Sequence, residues 1–164
     1  LEPNPTLNSV RTSGKTLSVN RITAAEPLHS TKMEYTRAHN ELEYYTINHW
    51  AVPPSKMLQE LFVKAFIESK YYKDVISLPS DLKANERLDL NLLKMRQYFE
   101  GKESYVEVEI HARLIDSNTK KTYLSKRYHT KEPAETLDAH GGVKAYNRAL
   151  ARLISEITRD VIRH

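Results

Sequence analysis

The sequence contains no cysteine, and this absence removes several kinds of chemistry. Disulfides, thiolate metal sites and a cysteine nucleophile are all excluded. The redox compartment stays open, because a periplasmic protein with a sufficient core can also lack cysteine. Glycine is scarce, with four residues in 164. Glycine-rich phosphate loops, the HExxH zinc motif and the GxSxG nucleophile elbow are missing, so the sequence predicts no cofactor, no metal site and no enzyme.

Long apolar runs are absent as well. None approaches the roughly 20 residues that cross a bilayer. The chain begins at Leu1 with no basic and apolar signal regions, so we expect that any targeting segment has been removed. Residues 1–15, which hold two prolines and no apolar period, are predicted to form an N-terminal tether. Residues 16–164 are predicted to form a single domain.

The net charge of +4 is concentrated near the C-terminus, where residues 141–164 hold five basic and two acidic side chains. Four arginines fall on one side of the predicted last helix: Arg148, Arg152, Arg159 and Arg163. We interpret them first as a solvated face, on which charge reversal at two positions would leave folding nearly intact. Binding to anionic lipid headgroups or to an acidic partner is the alternative. No recognition motif for nucleic acid accompanies them.

Two apolar stripes predict helices. One begins at Pro54 and continues to Phe66 with three- and four-residue spacing. The other covers Val143 to Ile162 and is preceded by the pair Gly141 and Gly142.

Alternating patterns predict strands. The clearest spans Tyr105 to Ile115, with Glu107 and Glu109 on a face that we interpret as solvated. On the same face, His111 is expected near His129 of the next strand, but no third ligand has a suggestive spacing.

A tyrosine-rich hairpin is predicted from Met33 to Ile47, with its turn at residues 38–41. Together these elements predict an α+β fold. It is a two-layer sandwich with a mostly antiparallel sheet and two long amphipathic helices packed on one face.

The stretch LEYYTINHWAVPPSKMLQELFVKAF, residues 42–66, resembles the characteristic segment of the ABC-type transport auxiliary lipoproteins. In that family a tyrosine-containing strand leads to a tryptophan, a small residue and a proline, and then to an amphipathic helix. Trp50, Ala51 and Pro53 fit this pattern. The strands ERLDLNLLKMRQYF and VEVEIHARLID and the final helix VKAYNRALARLISEI are also similar in order and spacing, so the resemblance covers about residues 16–162.

The resemblance implies a non-enzymatic periplasmic lipoprotein of Gram-negative bacteria, which links an MCE (mammalian cell entry) lipid transport system to the outer membrane. An MCE-domain transport protein is the implied partner. The family's lipidated cysteine is missing from this sequence, and we expect it upstream of Leu1. Exposed sheet edges and the hairpin are compatible with a homo-oligomer. The alternative is a periplasmic lipid- or small-ligand-binding module with a cavity lined by Phe62, Phe66 and Tyr146.

Six residues are the candidates for contact with a partner or lipid: Trp50, Tyr44, Tyr45, Arg148, Arg152 and Arg159. For Trp50 we favour a structural role, in which its ring caps the core between the hairpin and the first helix.

Overall fold

The computed structural model describes residues 1–5, 12–25, 28–37 and 41–164. These residues form eight strands and two helices. In chain order they are β1 (Thr16–Val19), β2 (Thr23–Ala24), β3 (Lys32–Thr36), β4 (Leu42–His49), α1 (Pro54–Ser69), β5 (Asp74–Ser77), β6 (Glu86–Glu100), β7 (Glu103–Asp116), β8 (Thr122–Ala134) and α2 (Ala139–Ile162).

The central strand is β6, which pairs with four other strands. Along one side it forms a long antiparallel ladder with β7, and β7 pairs in turn with β8. Along its other side β1, β2 and β3 follow one another, all parallel to β6. Beyond them, β5 pairs with β1 in parallel and β4 pairs with β3 antiparallel. The sheet is therefore mixed, with its longest ladders antiparallel as predicted.

Both helices pack on the apolar face of this sheet. Alternate side chains of β6 and β7 are fully buried beneath them, including Leu88, Leu90, Val106 and Val108. Helix α2 lies over β7 and β8, and α1 lies over β5 and β1. This arrangement confirms the two-layer α+β sandwich.

Helix α1 begins at Pro54, as the sequence predicts. Proline suits the first helical position because its missing N–H would have no intrahelical acceptor there. The helix ends at Ser69 and is capped by Lys70, whose φ of 60° lies in the left-handed region and whose amide donates to the carbonyl of Ile67.

Helix α2 begins four residues earlier than the sequence predicts. Asp138 caps it by accepting a hydrogen bond from the Gly141 amide at 2.8 Å, and a further bond from Thr136 holds the pKa of Asp138 below its ordinary value. A Cβ at Gly141 would lie 2.5 Å from the Thr136 carbonyl oxygen, and one at Gly142 would lie 2.4 Å from Gln97 Oε1. The prediction that the glycine pair precedes the helix is wrong, because both glycines lie inside it where the backbone approaches its neighbours closely.

Residues 1–5 lie in a groove between α1 and α2. Leu1 packs against the core, and the Glu2 amide donates to Asn147 Oδ1 at 2.9 Å. Leu61 and Ile154 line the same groove. Residues 6–11 of the predicted tether lie outside the described residues.

Candidate functional site

The hairpin places β4 at one end of the sheet. Within it Glu34 pairs with Tyr44 and Lys32 with His49, so four residues of β4 face one residue of β3 and the strand bulges. Ile47 lies in this bulge and is 87% exposed. The hairpin prediction is confirmed for its strands, while residues 38–40 of the predicted turn at 38–41 lie outside the described residues.

Beside β4 the hairpin forms a cleft of about 530 Å³, which we call the aromatic cleft. Two ring contacts build it: the Tyr35 centroid lies 4.6 Å from that of Tyr45 and 5.7 Å from that of Phe99. Among the described residues, the lining is Tyr35, Arg37, Tyr44, Tyr45, Thr46, Phe99, Gly101 and Leu137. Its walls are therefore mainly apolar and aromatic.

Gln97 fixes the inner wall of the aromatic cleft. Its Oε1 accepts a hydrogen bond from the Tyr45 hydroxyl at 2.9 Å, while its Nε2 donates to Ser104 Oγ and to the Asp138 carbonyl, each at 3.0 Å. Burial, with the nearby Tyr35 and Asp138, raises the pKa of Tyr45 to about 12, so its hydroxyl keeps the proton that it donates. Sequence reasoning missed Gln97, although a polar residue at a core position of β6 is a usable signal.

The other predicted tyrosine, Tyr44, lies at the outer margin of the aromatic cleft. It is partly exposed, and Lys32 Nζ lies 5.4 Å from its ring centroid. The structure thus brings Tyr44 and Tyr45 to one site, which the sequence predicts only as a tyrosine-rich hairpin.

Trp50 lies in the core instead of in the aromatic cleft. It is 9% exposed, and its ring packs edge-on against Tyr146 at 5.6 Å between centroids. Its amide donates to the Thr31 carbonyl at 2.7 Å, which fixes the end of the hairpin. This is the capping position that the favoured structural role requires.

The predicted arginine face of α2 lies beside β8. Arg152 Nη2 lies 2.8 Å from Glu132 Oε1, and Arg148 Nε lies 3.7 Å from Glu132 Oε2. Arg159 Nε lies 3.6 Å from the neighbouring Asp160. Glu132 is buried, so Arg148 and Arg152 balance a specific carboxylate and do not form a merely solvated face.

Glu107, which the sequence predicts on a solvated face, is also buried and paired with cations. It is 6% exposed and lies 2.7 Å from Lys94 Nζ, 3.1 Å from His129 Nε2 and 3.5 Å from Lys131 Nζ. Burial by itself would raise its pKa, but the hydrogen bonds and charges of Lys94 and His129 outweigh burial and lower the pKa to about 2. The solvated-face prediction is wrong for Glu107, because long side chains of neighbouring strands cover it.

The two histidines of this sheet face do not pair with each other. His129 stands opposite Glu109, and His111 stands opposite Arg127 and lies 3.1 Å from Ser125 Oγ. Among the residues that the structure describes, no three potential metal ligands come together.

The cavity expected for a lipid- or small-ligand-binding module is filled by side chains. Phe62 and Phe66 have no exposed surface and Tyr146 is 2% exposed, all within the continuous core between helices and sheet. Within the described residues, no helix is both long enough and apolar enough to cross a membrane.

The chain belongs to the family of ABC-type transport auxiliary lipoprotein components, whose sequence model matches residues 1–158. Membership makes it an auxiliary component of ABC-type transport and implies a lipid-anchored protein of the cell envelope. A comparison with functionally curated proteins finds no match.

Solved structures share the fold at low sequence identity. The protein XCC0632 from Xanthomonas campestris has a TM-score of 0.82 at 22% identity, with 96% of this chain and 88% of that chain covered. The PelC dodecamer from Paraburkholderia phytofirmans has a TM-score of 0.52 at 13% identity, with 92% and 91% covered. A minor lipoprotein from Acinetobacter baumannii has a TM-score of 0.51 at 12% identity, with 92% and 94% covered. These likenesses show the fold alone.

Proposed function

We propose that this protein is a non-enzymatic periplasmic accessory lipoprotein of an MCE-type lipid transport system. In this role the domain docks on an MCE-domain transport protein and ties it to the outer membrane of a Gram-negative cell. The family match over residues 1–158 is the observation that carries the proposal. The proposed lipid anchor lies upstream of Leu1. Residues 1–5 pack against α1 and α2 and are therefore part of the domain instead of a free tether.

The structure is consistent with a docking role more than with carriage of a ligand inside the domain. The core beneath the helices is filled, whereas the aromatic cleft and the exposed bulge of β4 face outward. We therefore place Tyr44 and Tyr45 at the docking surface and assign Trp50 to the support beneath it. For the arginine face, a lipid-binding role stays a prediction.

A homo-oligomer fits the same proposal. PelC of Paraburkholderia phytofirmans, which shares the fold, is described as a dodecamer. An oligomer would multiply the contacts between the accessory protein and its transporter.

Copurification from native membranes tests the proposal. The full-length protein, with its lipidation checked by mass spectrometry, is expected to retain an MCE-domain protein through detergent extraction and affinity capture. A version whose lipidated cysteine is replaced serves as the control for anchoring and should lose the membrane fraction. Recovery of the lipidated protein without any MCE-domain protein would contradict the assignment.

A further inference from the structure

We propose that a cleft at the start of α1 binds the phosphate group of a phosphate ester, either a lipid headgroup or a soluble molecule. The cleft has a volume of about 640 Å³ and shares no lining residue with the aromatic cleft. We call it the basic cleft; residues 21–23, His29, the first turns of α1 and residues 78–79 line it. The proposal depends on this domain alone and does not require the transporter proposed above.

The charged groups of the basic cleft are of one sign. Arg21 and Lys56 lie in its lining beside the imidazole of His29, and the described part of the chain contributes no carboxylate to it. Within the described ranges, neither Arg21 nor Lys56 has an ion-pair partner. By contrast, Glu132 already balances two arginines of α2. The cations of the basic cleft are therefore available to an anionic ligand.

Ser55 presents a hydroxyl hydrogen that has no acceptor. It is 6% exposed and lines the basic cleft. The Ala24 amide donates to His29 Nε2 at 3.3 Å, so a neutral imidazole carries its proton on Nδ1 and donates it to Ser55 Oγ, also at 3.3 Å. A protonated imidazole donates from Nδ1 as well. In both states Ser55 Oγ is the acceptor, and its own hydrogen meets no acceptor among the residues described.

The backbone of Ser55 adds a second free donor at the same place. Pro54 has no amide hydrogen, and the amides of Lys56 and Met57 donate to the Pro53 carbonyl. The Ser55 amide has no backbone acceptor in the described chain, and no side chain there caps this end of the helix. One buried residue thus offers an N–H and an O–H beside two cations. An anion in the basic cleft would satisfy both donors.

The size and walls of the basic cleft favour a phosphate ester over a small anion. Its volume is that of a small-molecule site and is much larger than one phosphate group. Ile22, Leu78 and Pro79 give it an apolar side, which suits the carbon body of an ester. Gln59 Nε2 holds this side to α1 by donating to the carbonyls of Leu78 at 2.9 Å and Val19 at 3.2 Å. The three strong acceptor oxygens of a phosphate suit donors that arrive from several segments.

Two probes test the site and distinguish the sources of the phosphate. Glycerol 3-phosphate, titrated into the protein and followed by NMR, is expected to shift the amide signals of Thr23, Ser55 and Lys56 saturably. Vesicles of phosphatidylcholine with and without phosphatidylglycerol, read by co-sedimentation, test the lipid headgroup. Lys56→Gln and Ser55→Ala are each expected to weaken binding by about tenfold, because each removes a donor to a charged group. Lys64→Gln makes the same change in charge at an exposed position further along α1 and should bind like wild type.

The outcomes separate the site from its alternatives. Binding of glycerol 3-phosphate supports a soluble ester, and binding only to vesicles with phosphatidylglycerol supports a lipid headgroup. Equal losses for Lys56→Gln and Lys64→Gln would show diffuse attraction and overturn the site, as would the absence of saturable binding to both probes. Succinate that shifts the same amides at equal or lower concentration would make a carboxylate the occupant and overturn the phosphate assignment. Circular dichroism and thermal melting confirm that each variant is folded. None of these results depends on copurification of an MCE-domain protein, so the two proposals fail separately.

Discussion

At the scale of single residues, Glu107 holds together one face of the sheet. Its carboxylate gathers Lys94 from β6 and His129 and Lys131 from β8, so one side chain joins three strands. The adjoining rings of Tyr98 and Tyr105 stack at 4.9 Å with their planes 8° apart. On this face, which the two helices of the described chain leave uncovered, charges and rings satisfy one another.

Glu107 should make stability depend on pH in the acid range. Its pKa is lowered to about 2 in the folded protein, so its contribution is present above the ordinary carboxyl pKa near 4.5 and is lost as the pH falls toward 2. Glu107→Gln is expected to cost about 1–3 kcal/mol at pH 7 and to flatten this dependence. Urea denaturation between pH 2.5 and 7 measures both effects.

The matched control is Glu109→Gln. Glu109 lies on the same strand and pairs with Arg127 at 3.3 Å, but it is more exposed. It should change stability by no more than about 0.5 kcal/mol. Equal pH profiles for the two variants would show that burial of Glu107 has no energetic role.

At the scale of elements, the start of α2 depends on two glycines, because a side chain at either position would collide with a neighbouring residue. Gly141 and Gly142 allow the first turn to approach Thr136 and the Gln97 amide. Through Gln97 this turn is linked to Tyr45 and hence to the aromatic cleft. The start of α2 therefore packs closely on the sheet and also supports the candidate site.

Gly141→Ala should destabilise the protein although alanine is the better helix former. Helix propensity alone would give a gain of about 1 kcal/mol. The added methyl would instead lie 2.5 Å from the Thr136 carbonyl oxygen and 2.9 Å from its amide nitrogen, so backbone must move. We expect a net loss of about 1–3 kcal/mol in the free energy of unfolding.

Thermal and urea unfolding of Gly141→Ala measure this loss. Lys144→Ala, at an exposed position of the same helix, controls for propensity and should remain within about 0.5 kcal/mol of wild type. A Gly141→Ala protein that is more stable than wild type would contradict the close approach.

The sequence predicts single helices and strands better than it predicts which of them lie side by side. The period-2 pattern of β7 and the helical stripe after Pro54 are local signals, and the structure confirms both. The parallel pairing of β1 with β6 is not readable in the same way, because it joins residues about 70 positions apart. The burial of Glu107 and the role of Gln97 also depend on what other strands bring near. Two of the three tyrosines of the cleft, Tyr44 and Tyr45, are candidates from the sequence, but the cleft itself follows from the fold.

At the scale of the whole molecule, less of the net charge of +4 is free to bind a partner than the sequence indicates. Two of the arginines that create the C-terminal excess join the helix layer to the sheet layer through Glu132. The positive surface is thus part of the connection between layers.

Reversing both arginines should therefore destabilise the fold, contrary to the expectation from the sequence. Arg148→Glu with Arg152→Glu would surround the buried Glu132 with two further carboxylates and leave it without its cations. We expect a loss of about 1–3 kcal/mol, measured by urea denaturation at pH 7. Arg163→Glu, beyond the end of α2, is the control and should change stability by less than about 0.5 kcal/mol. Equal stability of the two variants would restore the solvated-face interpretation.

The parallel placement of β1 between β5 and β6 has a mechanical consequence. Leu17 and Val19 fix this strand in the core, and its two ladders run in the direction of the chain. Tension from the N-terminal side first acts on residues 1–5, which pack against α1 and α2. Once that contact is released, the tension acts along β1 and loads the hydrogen bonds on both sides in shear. Bonds loaded in this way break together instead of one after another. A domain held by its N-terminal end and pulled by a bound partner would thus keep its shape until both ladders yield at once.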